Sequence, residues 1–295
     1  MKKILITGSN GLLGQKIVSQ LVKSGVDFIA TSLGENRNPD CPSDRYFPMN
    51  ITLTEDVNAV FQQFQPTHII HTAAMTNVDQ CETDKKGCDL LNVEATHILW
   101  EAAKNLNAHF QLLSTDFVFD GEKGNYSEED KPNPLSYYGN SKLKAENILI
   151  NDTNKNWSIV RTIIVYGEGN NLSRSNIVLW AKEALSKGTE LNIIDDQFRA
   201  PTWADDLAWA CIEIADKQKK GIYHIAGPET MSIFRLVERI AEFHHFSTEK
   251  LCKTTSSSLN QAAKRPPKTG FDISKAKREL NYHPKTLEET LLLLS

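Results

Sequence analysis

The chain lacks the features that mark membrane, secreted and nucleic-acid-binding proteins. No apolar run approaches the ~20 residues needed to span a bilayer. Met1-Lys2-Lys3 carries charge, but no apolar segment with a small-residue cleavage site follows it. Cysteine is sparse: Cys41, Cys81, Cys88, Cys211 and Cys252 make an odd set with no C-x-x-C spacing, which excludes a zinc ribbon and argues against a disulfide framework. Neither sign of charge dominates, with 33 Lys+Arg against 37 Asp+Glu, so no basic face invites nucleic acid. The eight histidines show no ligand spacing, and no metal is expected. There is no internal repeat or heptad. A cytoplasmic enzyme of 295 residues, with one large α/β unit or two domains, is the expectation.

What is present is an alternation of short β-branched runs with helical segments. Strands are expected at Lys3–Thr7, Asp27–Thr31, Arg45–Met49, His68–Thr72, Phe110–Ser114 and Ser158–Thr162. Helices are expected near Leu12–Lys23, Glu55–Phe64, Cys88–Asn105 and Tyr138–Leu149. This order predicts an α/β fold, a Rossmann-type doubly wound parallel sheet. Beyond Thr162 the pattern loosens into helices at Ser175–Lys187, Trp203–Ala215, Ser232–Phe243 and Ile273–Leu280. Strands are expected there at Leu191–Ile194 and within Gly221–Gly227, with a polar loop over Thr254–Gly270. The division expected is a dinucleotide-binding domain over 1–165, with returning segments near 203–227 and 271–281. A smaller, interleaved C-terminal substrate lobe is expected over 166–202 and 228–270.

The first strand runs into Thr7-Gly-Ser-Asn-Gly-Leu-Leu-Gly14, with glycines at Gly8, Gly11 and Gly14. A strand, a glycine turn and a helix N-terminus leave unpaired N–H groups aimed at one place, a site for a pyrophosphate. Tyr138-Gly-Asn-Ser-Lys142 puts a phenol and an ammonium on one helix face, one turn apart. A lysine there is expected to lower the tyrosine pKa and make the phenol a proton donor and acceptor. Taken alone, the pair also suits an ordinary surface contact. Thr115, at the end of the apolar run Phe110–Leu113, adds a hydroxyl that can hydrogen-bond a substrate carbonyl.

Together these residues resemble the Ser/Thr–Tyr–Lys triad of the short-chain dehydrogenase/reductase superfamily, in its extended, nucleotide-sugar-modifying branch. Thr72-Ala-Ala-Met-Thr76, Leu113-Ser-Thr-Asp-Phe-Val-Phe-Asp-Gly121, Arg161-Thr162 with Val165-Tyr166-Gly167, and Asp196-Gln-Phe-Arg-Ala-Pro-Thr202 narrow it. They are similar to the dTDP-4-dehydrorhamnose reductase family, from Lys3 to about Leu291. The resemblance implies reduction of the C4 ketone of a dTDP-linked 6-deoxy sugar by NADPH or NADH. It implies Thr115, Tyr138 and Lys142 as catalytic residues, and Asn10, Gly11 and Leu12 around the pyrophosphate. Asn50 and Ile51 would lie along the adenine, with Ala73, Ala74 and Met75 on the nicotinamide side, and Thr115 and Asp116 against the sugar.

The chain departs from that family at three places. Asn50 replaces a common aspartate. Ile164 stands at the sugar-pocket tryptophan and removes a stacking platform. Arg199 replaces a small residue, and its cation could meet the substrate diphosphate or form a surface ion pair with Asp195 or Asp196. The second strand ends Ala30-Thr31-Ser32-Leu33 without a carboxylate, and Arg37 follows; this leans towards NADPH, with NADH open because Glu35 is in reach. The expected partner is a small-molecule nucleotide sugar, with a homodimer left open. Two alternatives remain: an epimerase or dehydratase with tightly bound NAD, for which Asp116 could serve, and a non-catalytic regulatory subunit. A regulatory subunit of methionine adenosyltransferase is the precedent for the latter.

Overall fold

Seven parallel strands form the main sheet in the computed structural model, which describes residues 2–294. They are β1 (Ile4–Thr7), β2 (Phe28–Ser32), β3 (Tyr46–Pro48), β4 (His68–His71), β5 (His109–Thr115), β6 (Trp157–Thr162) and β7 (Gly221–Ile225). Their order across the sheet is β7-β6-β5-β4-β1-β2-β3. The chain winds outward from β1 to β3, then returns to β4 beside β1 and winds the other way. That reversal opens a crevice between the carboxyl ends of β1 and β4.

Side chains alternate across each strand, so both sheet faces need cover. Ile4 and Ile6 pack with Ile17, Val18 and Leu21 of helix α1 (Leu12–Ser24). Leu207, Ala208 and Cys211 of the later helix Ala204–Asp216 belong to the same cluster. Leu5 points the other way, into a cluster with Val57 and Phe61 of α2 (Thr54–Phe64). Leu99 and Trp100 of α3 (Ala95–Asn105) and Leu149 of α4 (Tyr137–Ile150) complete it. Each such buried side chain contributes roughly 1.5–3 kcal/mol. The doubly wound expectation is met.

One expected helix is three pieces. Cys88–Asn105 divides into the end of Lys85–Asp89, a π turn at Leu90–Glu94, and α3. The wider turn points Asn92 inward, where its amide accepts from Met75 N at 2.8 Å and donates to Ser141 Oγ at 2.9 Å.

The smaller lobe is built from short pairings. Leu191–Ile194 lies parallel to Leu251–Thr254, and Val165–Tyr166 to Thr202–Trp203. Phe198–Arg199 lies between Met231–Ser232 and Lys268–Thr269. The expected loop over Thr254–Gly270 therefore ends in a strand. Helices Ile177–Ser186 and Ile233–His244 pack on these strands through Val178, Ala181, Leu236 and Val237. No helix among the described residues is long and apolar enough to cross a membrane.

Candidate active site

The glycine turn is shaped by close approach. Gly8 has φ +71°, and a Cβ there would lie 2.8 Å from Ala73 N. A Cβ on Gly14 would clash with the Gly8 carbonyl and with Ser9. These two glycines let the turn sit against β4 and under α1. Gly11 caps α1 without a side-chain hydrogen bond, and the first turn holds no acidic residue. The N-terminal N–H groups of α1 are thus left for an anion. Asn10 serves the turn as a brace. Its buried amide donates to Glu35 O at 2.8 Å and Tyr46 Oη at 3.3 Å, and its oxygen accepts from Arg37 N at 2.8 Å.

The crevice continues from this turn as a cleft of about 610 Å³. Of the residues expected in the site, Gly8, Asn10, Gly11, Leu12, Gly14, Asn50, Ile51, Ala73, Ala74, Thr115, Asp116, Tyr138, Lys142 and Ile164 line it. Met75 and Arg199 lie outside that lining. Met75 is turned into a cluster with Cys81, Cys88 and Tyr138, its backbone N–H and carbonyl both held by Asn92.

Arg199 is neither a surface residue nor a diphosphate contact. Its guanidinium is buried and donates to Phe198 O and Pro266 O at 2.7 Å, Gln197 Oε1 at 3.2 Å and Pro267 O at 3.3 Å. Asp195 instead pairs with Lys253, and Asp196 accepts from Ser256. The cation faces Asp116, with Nε 3.6 Å from Oδ2.

Sequence reasoning missed two parts of the wall. Arg174 and Asn176 line the cleft from the loop after β6, and Arg174 donates across the mouth to Thr76 Oγ1. Gly167-Glu-Gly-Asn-Asn171, just before it, has loop composition, and this is the signal the sequence offers for that segment. Leu91 is brought to the cleft by the π turn, which no residue pattern announces. Ile164 has φ +32°, a conformation rare for a β-branched side chain. Its carbonyl accepts from Thr202 N at 3.0 Å where the lobe strands leave the main sheet.

The three catalytic candidates converge. β5 carries Thr115 to the cleft floor. Ser136 caps α4 by accepting from Gly139 N at 3.2 Å. Gly139 meets the Phe117 carbonyl so closely that a Cβ would not fit, which docks the first turn of α4 on the end of β5. Tyr138 thereby joins Thr115 in the lining of the cleft, edge-on to Phe117 at 5.8 Å. Thr115 Oγ1 donates to Asp116 Oδ1 at 3.1 Å and accepts from Phe117 N at 3.2 Å.

Burial dominates the charges here. It raises the Tyr138 phenol well above its ordinary value, against a lowering by the Thr115 hydroxyl. The expected lowering by Lys142 is thus not what the structure shows. Burial pushes the Lys142 ammonium down to about 8, against the Glu146 carboxylate. Asp116 is raised by burial, opposed by Arg199, Thr269 and Thr115. His71, hydrogen-bonded to Thr7 Oγ1 at 2.7 Å, is held neutral by burial, at about 3.

A dinucleotide fits these groups. The bare N-terminus of α1 suits a pyrophosphate, and Lys142 Nζ makes no hydrogen bond among the described residues although it is buried. At the other end Arg37 lines the cleft with Ser32 and Leu33, whereas Glu35 does not.

Comparison with known proteins agrees with this geometry. The family model described as "RmlD substrate binding domain" matches residues 1–294. The probable low-salt glycan biosynthesis reductase Agl14 of Haloferax volcanii is 30% identical over 98% of this chain and 96% of its own. Methionine adenosyltransferase 2 subunit beta of Xenopus tropicalis is 28% identical, covering 94% of this chain and 82% of its own. Among solved structures, a dTDP-4-dehydrorhamnose reductase from Clostridium acetobutylicum has a TM-score of 0.85 at 31% identity, covering 98% of this chain and 96% of its own. The enzyme of that name from Bacillus anthracis, in complex with NADP, has a TM-score of 0.84 at 26% identity, covering 99% and 96%. The chain belongs to the RmlD substrate binding domain family, the dTDP-4-dehydrorhamnose reductase-like group of the extended short-chain dehydrogenase/reductase superfamily.

Proposed function

We propose that this protein is an NADPH-dependent reductase of the C4 ketone of a nucleotide-linked 4-keto-6-deoxyhexose, with dTDP-4-dehydrorhamnose, reduced to dTDP-rhamnose, as the first substrate to test. The carrying observation is that Thr115, Tyr138 and Lys142 meet in the cleft that starts at the glycine turn. Residues 1–165 would hold the cofactor, and residues 166–202 and 228–270 the sugar nucleotide.

NADPH, when bound, supplies the hydride. Gly11, Leu12 and the first turn of α1 would hold its pyrophosphate, Asn50 and Ile51 its adenine, and Ala73 and Ala74 its nicotinamide side. Arg37 would take the 2′-phosphate, a task for a cation where no carboxylate is present. The NADP-bound Bacillus anthracis structure supports that choice.

Tyr138 gives its proton to the oxygen that was the ketone. Its raised pKa keeps the phenol protonated until that oxygen gains charge. Lys142, without a hydrogen bond among the described residues, would donate to the nicotinamide ribose and place positive charge near the phenol as it ionises. Thr115 would orient the substrate carbonyl beside the phenol. The surrounding apolar wall makes each of these interactions stronger than in water.

The dehydratase alternative needs Asp116 free for proton transfer, and its two oxygens are already taken by Thr115 and Thr269. The likeness to a methionine adenosyltransferase subunit favours the regulatory alternative, and the assembled triad favours chemistry. Cytoplasm, a reducing compartment, suits the five unpaired thiols.

The test is to supply enzymatically made dTDP-4-keto-6-deoxyglucose, with and without the epimerase that equilibrates it, and follow NADPH and NADH oxidation separately. Oxidation dependent on the epimerase supports the rhamnose route. No oxidation with this sugar removes that substrate.

A further inference from the structure

A loop of the smaller lobe is fastened to the cofactor half at two points. It runs from Gly167 to Asn176, where the helix Ile177–Ser186 begins. Asn176 closes its base: Nδ2 donates to Gly167 O at 2.7 Å, and Oδ1 accepts from Leu179 N at 3.2 Å.

The first fastening is on α1. The buried amide of Gln15 pairs with the backbone of Asn170 as a neighbouring strand would. Nε2 donates to Asn170 O at 2.7 Å, and Oε1 accepts from Asn170 N at 2.8 Å. Nε2 also donates to Asn10 O at 3.1 Å, which joins the loop to the glycine turn. The second fastening lies beyond β4, where Arg174 donates to Thr76 Oγ1, shortly after Ala73 and Ala74. Arg37 Nη1 reaches Asn171 O at 3.5 Å, too long to hold the loop.

The two fastenings differ in strength. Gln15 makes two bonds to one peptide from a site closed to solvent. Arg174 and Thr76 are both exposed and are joined by one hydrogen bond. Water competes for that bond, so the Arg174 end opens first and the Gln15 end acts as the hinge.

Between them, Leu172, Ser173 and Arg174 line the same cleft as the glycine turn, Ala73 and Ala74. We propose that residues 169–176 are a strap over the bound dinucleotide, with Arg174 and Thr76 as the catch that retains it. This rests on the dinucleotide part of the proposed function and not on the sugar. The fastenings grip the glycine turn and the segment after β4, which face groups common to both cofactors. NADPH and NADH are therefore retained alike.

The test times the release of NADPH and of NADH by stopped-flow fluorescence, with excess NADP+ or NAD+ as the chase. It compares the wild type with R174A, T76V and the double variant, all changes at exposed side chains. Each single variant is expected to release both dinucleotides about threefold faster or more, the scale of one hydrogen bond. The double variant should be no faster than the faster single, because the same bond is lost in all three. Unchanged release in R174A, single effects that multiply in the double variant, or an effect on NADPH alone overturns the proposal. Hydrogen exchange gives a readout of the strap itself. Amides over 170–175 should slow on adding NADPH to the wild type, and slow less in R174A; no slowing in the wild type overturns the strap. Failure of the wild type to bind either dinucleotide sinks the cofactor reading and the strap with it, whereas binding with unaltered release in the variants sinks the strap alone.

Discussion

Lys142 stands one helical turn beyond Tyr138 on α4, and burial drives the two protonation equilibria in opposite directions. The phenol is raised, and the ammonium is brought down to about 8. A proton-holding phenol one turn from a lysine with no hydrogen-bond partner among the described residues is an arrangement ready to give a proton and absorb the resulting charge.

Tyr138→Phe keeps the ring and its edge contact with Phe117 but removes the proton. Its kcat for ketone reduction should fall by ~10²-fold or more, as for loss of a general acid. NADPH affinity, measured by fluorescence titration, should change little. Near-normal turnover would exclude the proposed role.

Lys142 should leave a signature in stability as well as in activity. With a pKa of about 8 folded against 10.5 in its ordinary setting, it sheds its proton earlier in the native state. Between those values the unfolded state binds more protons, so stability rises with pH across that window. Below pH 8 the buried ammonium costs on the order of 3 kcal/mol. In urea titrations without cofactor, Lys142→Met should be more stable than wild type at pH 7, with the difference shrinking as pH approaches 10.5. A difference constant with pH would contradict the assignment.

Arg37 is the cleft-lining cation at the end opposite Tyr138. Arg37→Ala should weaken NADPH binding at least about tenfold and leave NADH nearly unchanged, since only the former has a 2′-phosphate to lose. Equal losses for both cofactors would place Arg37 elsewhere.

The α4 scaffold depends on a buried fork. Arg161 Nε and Nη2 donate to the Glu146 oxygens at 2.9 and 2.6 Å, with both side chains closed to solvent. Glu146→Gln leaves an uncompensated guanidinium and should cost about 3–5 kcal/mol in chemical denaturation. Adding Arg161→Met should recover part of that loss. A single-variant cost below 1 kcal/mol would show that α4 does not rely on this pair.

Much of the cofactor half was legible because its signals are local. The apolar run Ile4-Leu5-Ile6, the glycines that follow and the tyrosine–lysine spacing each involve neighbours in the chain. What escaped depends on distant partners. Arg199 reads as a diphosphate contact or a surface ion-pair partner until Pro266 and Pro267, more than sixty residues later, bring carbonyls to it. Met75 sits in a run of small residues along the cleft, yet Asn92 turns its backbone and sends its side chain behind the wall. The lobe strands Phe198–Arg199 and Lys268–Thr269 are two residues each, too short to show alternation. The phenol pKa went wrong for a related reason: spacing places Lys142 near Tyr138 but says nothing of how deeply both are buried.

The most direct measurement follows one atom. NADPH deuterated at the transferring position of C4 is mixed with the protein and a nucleotide-linked 4-keto-6-deoxyhexose, and the sugar is examined by NMR. Deuterium on sugar C4, formed in step with NADP+ and abolished in Tyr138→Phe, is the expected result. An unlabelled sugar with the cofactor unconsumed, or turnover that proceeds on protein-bound NAD alone, would contradict it.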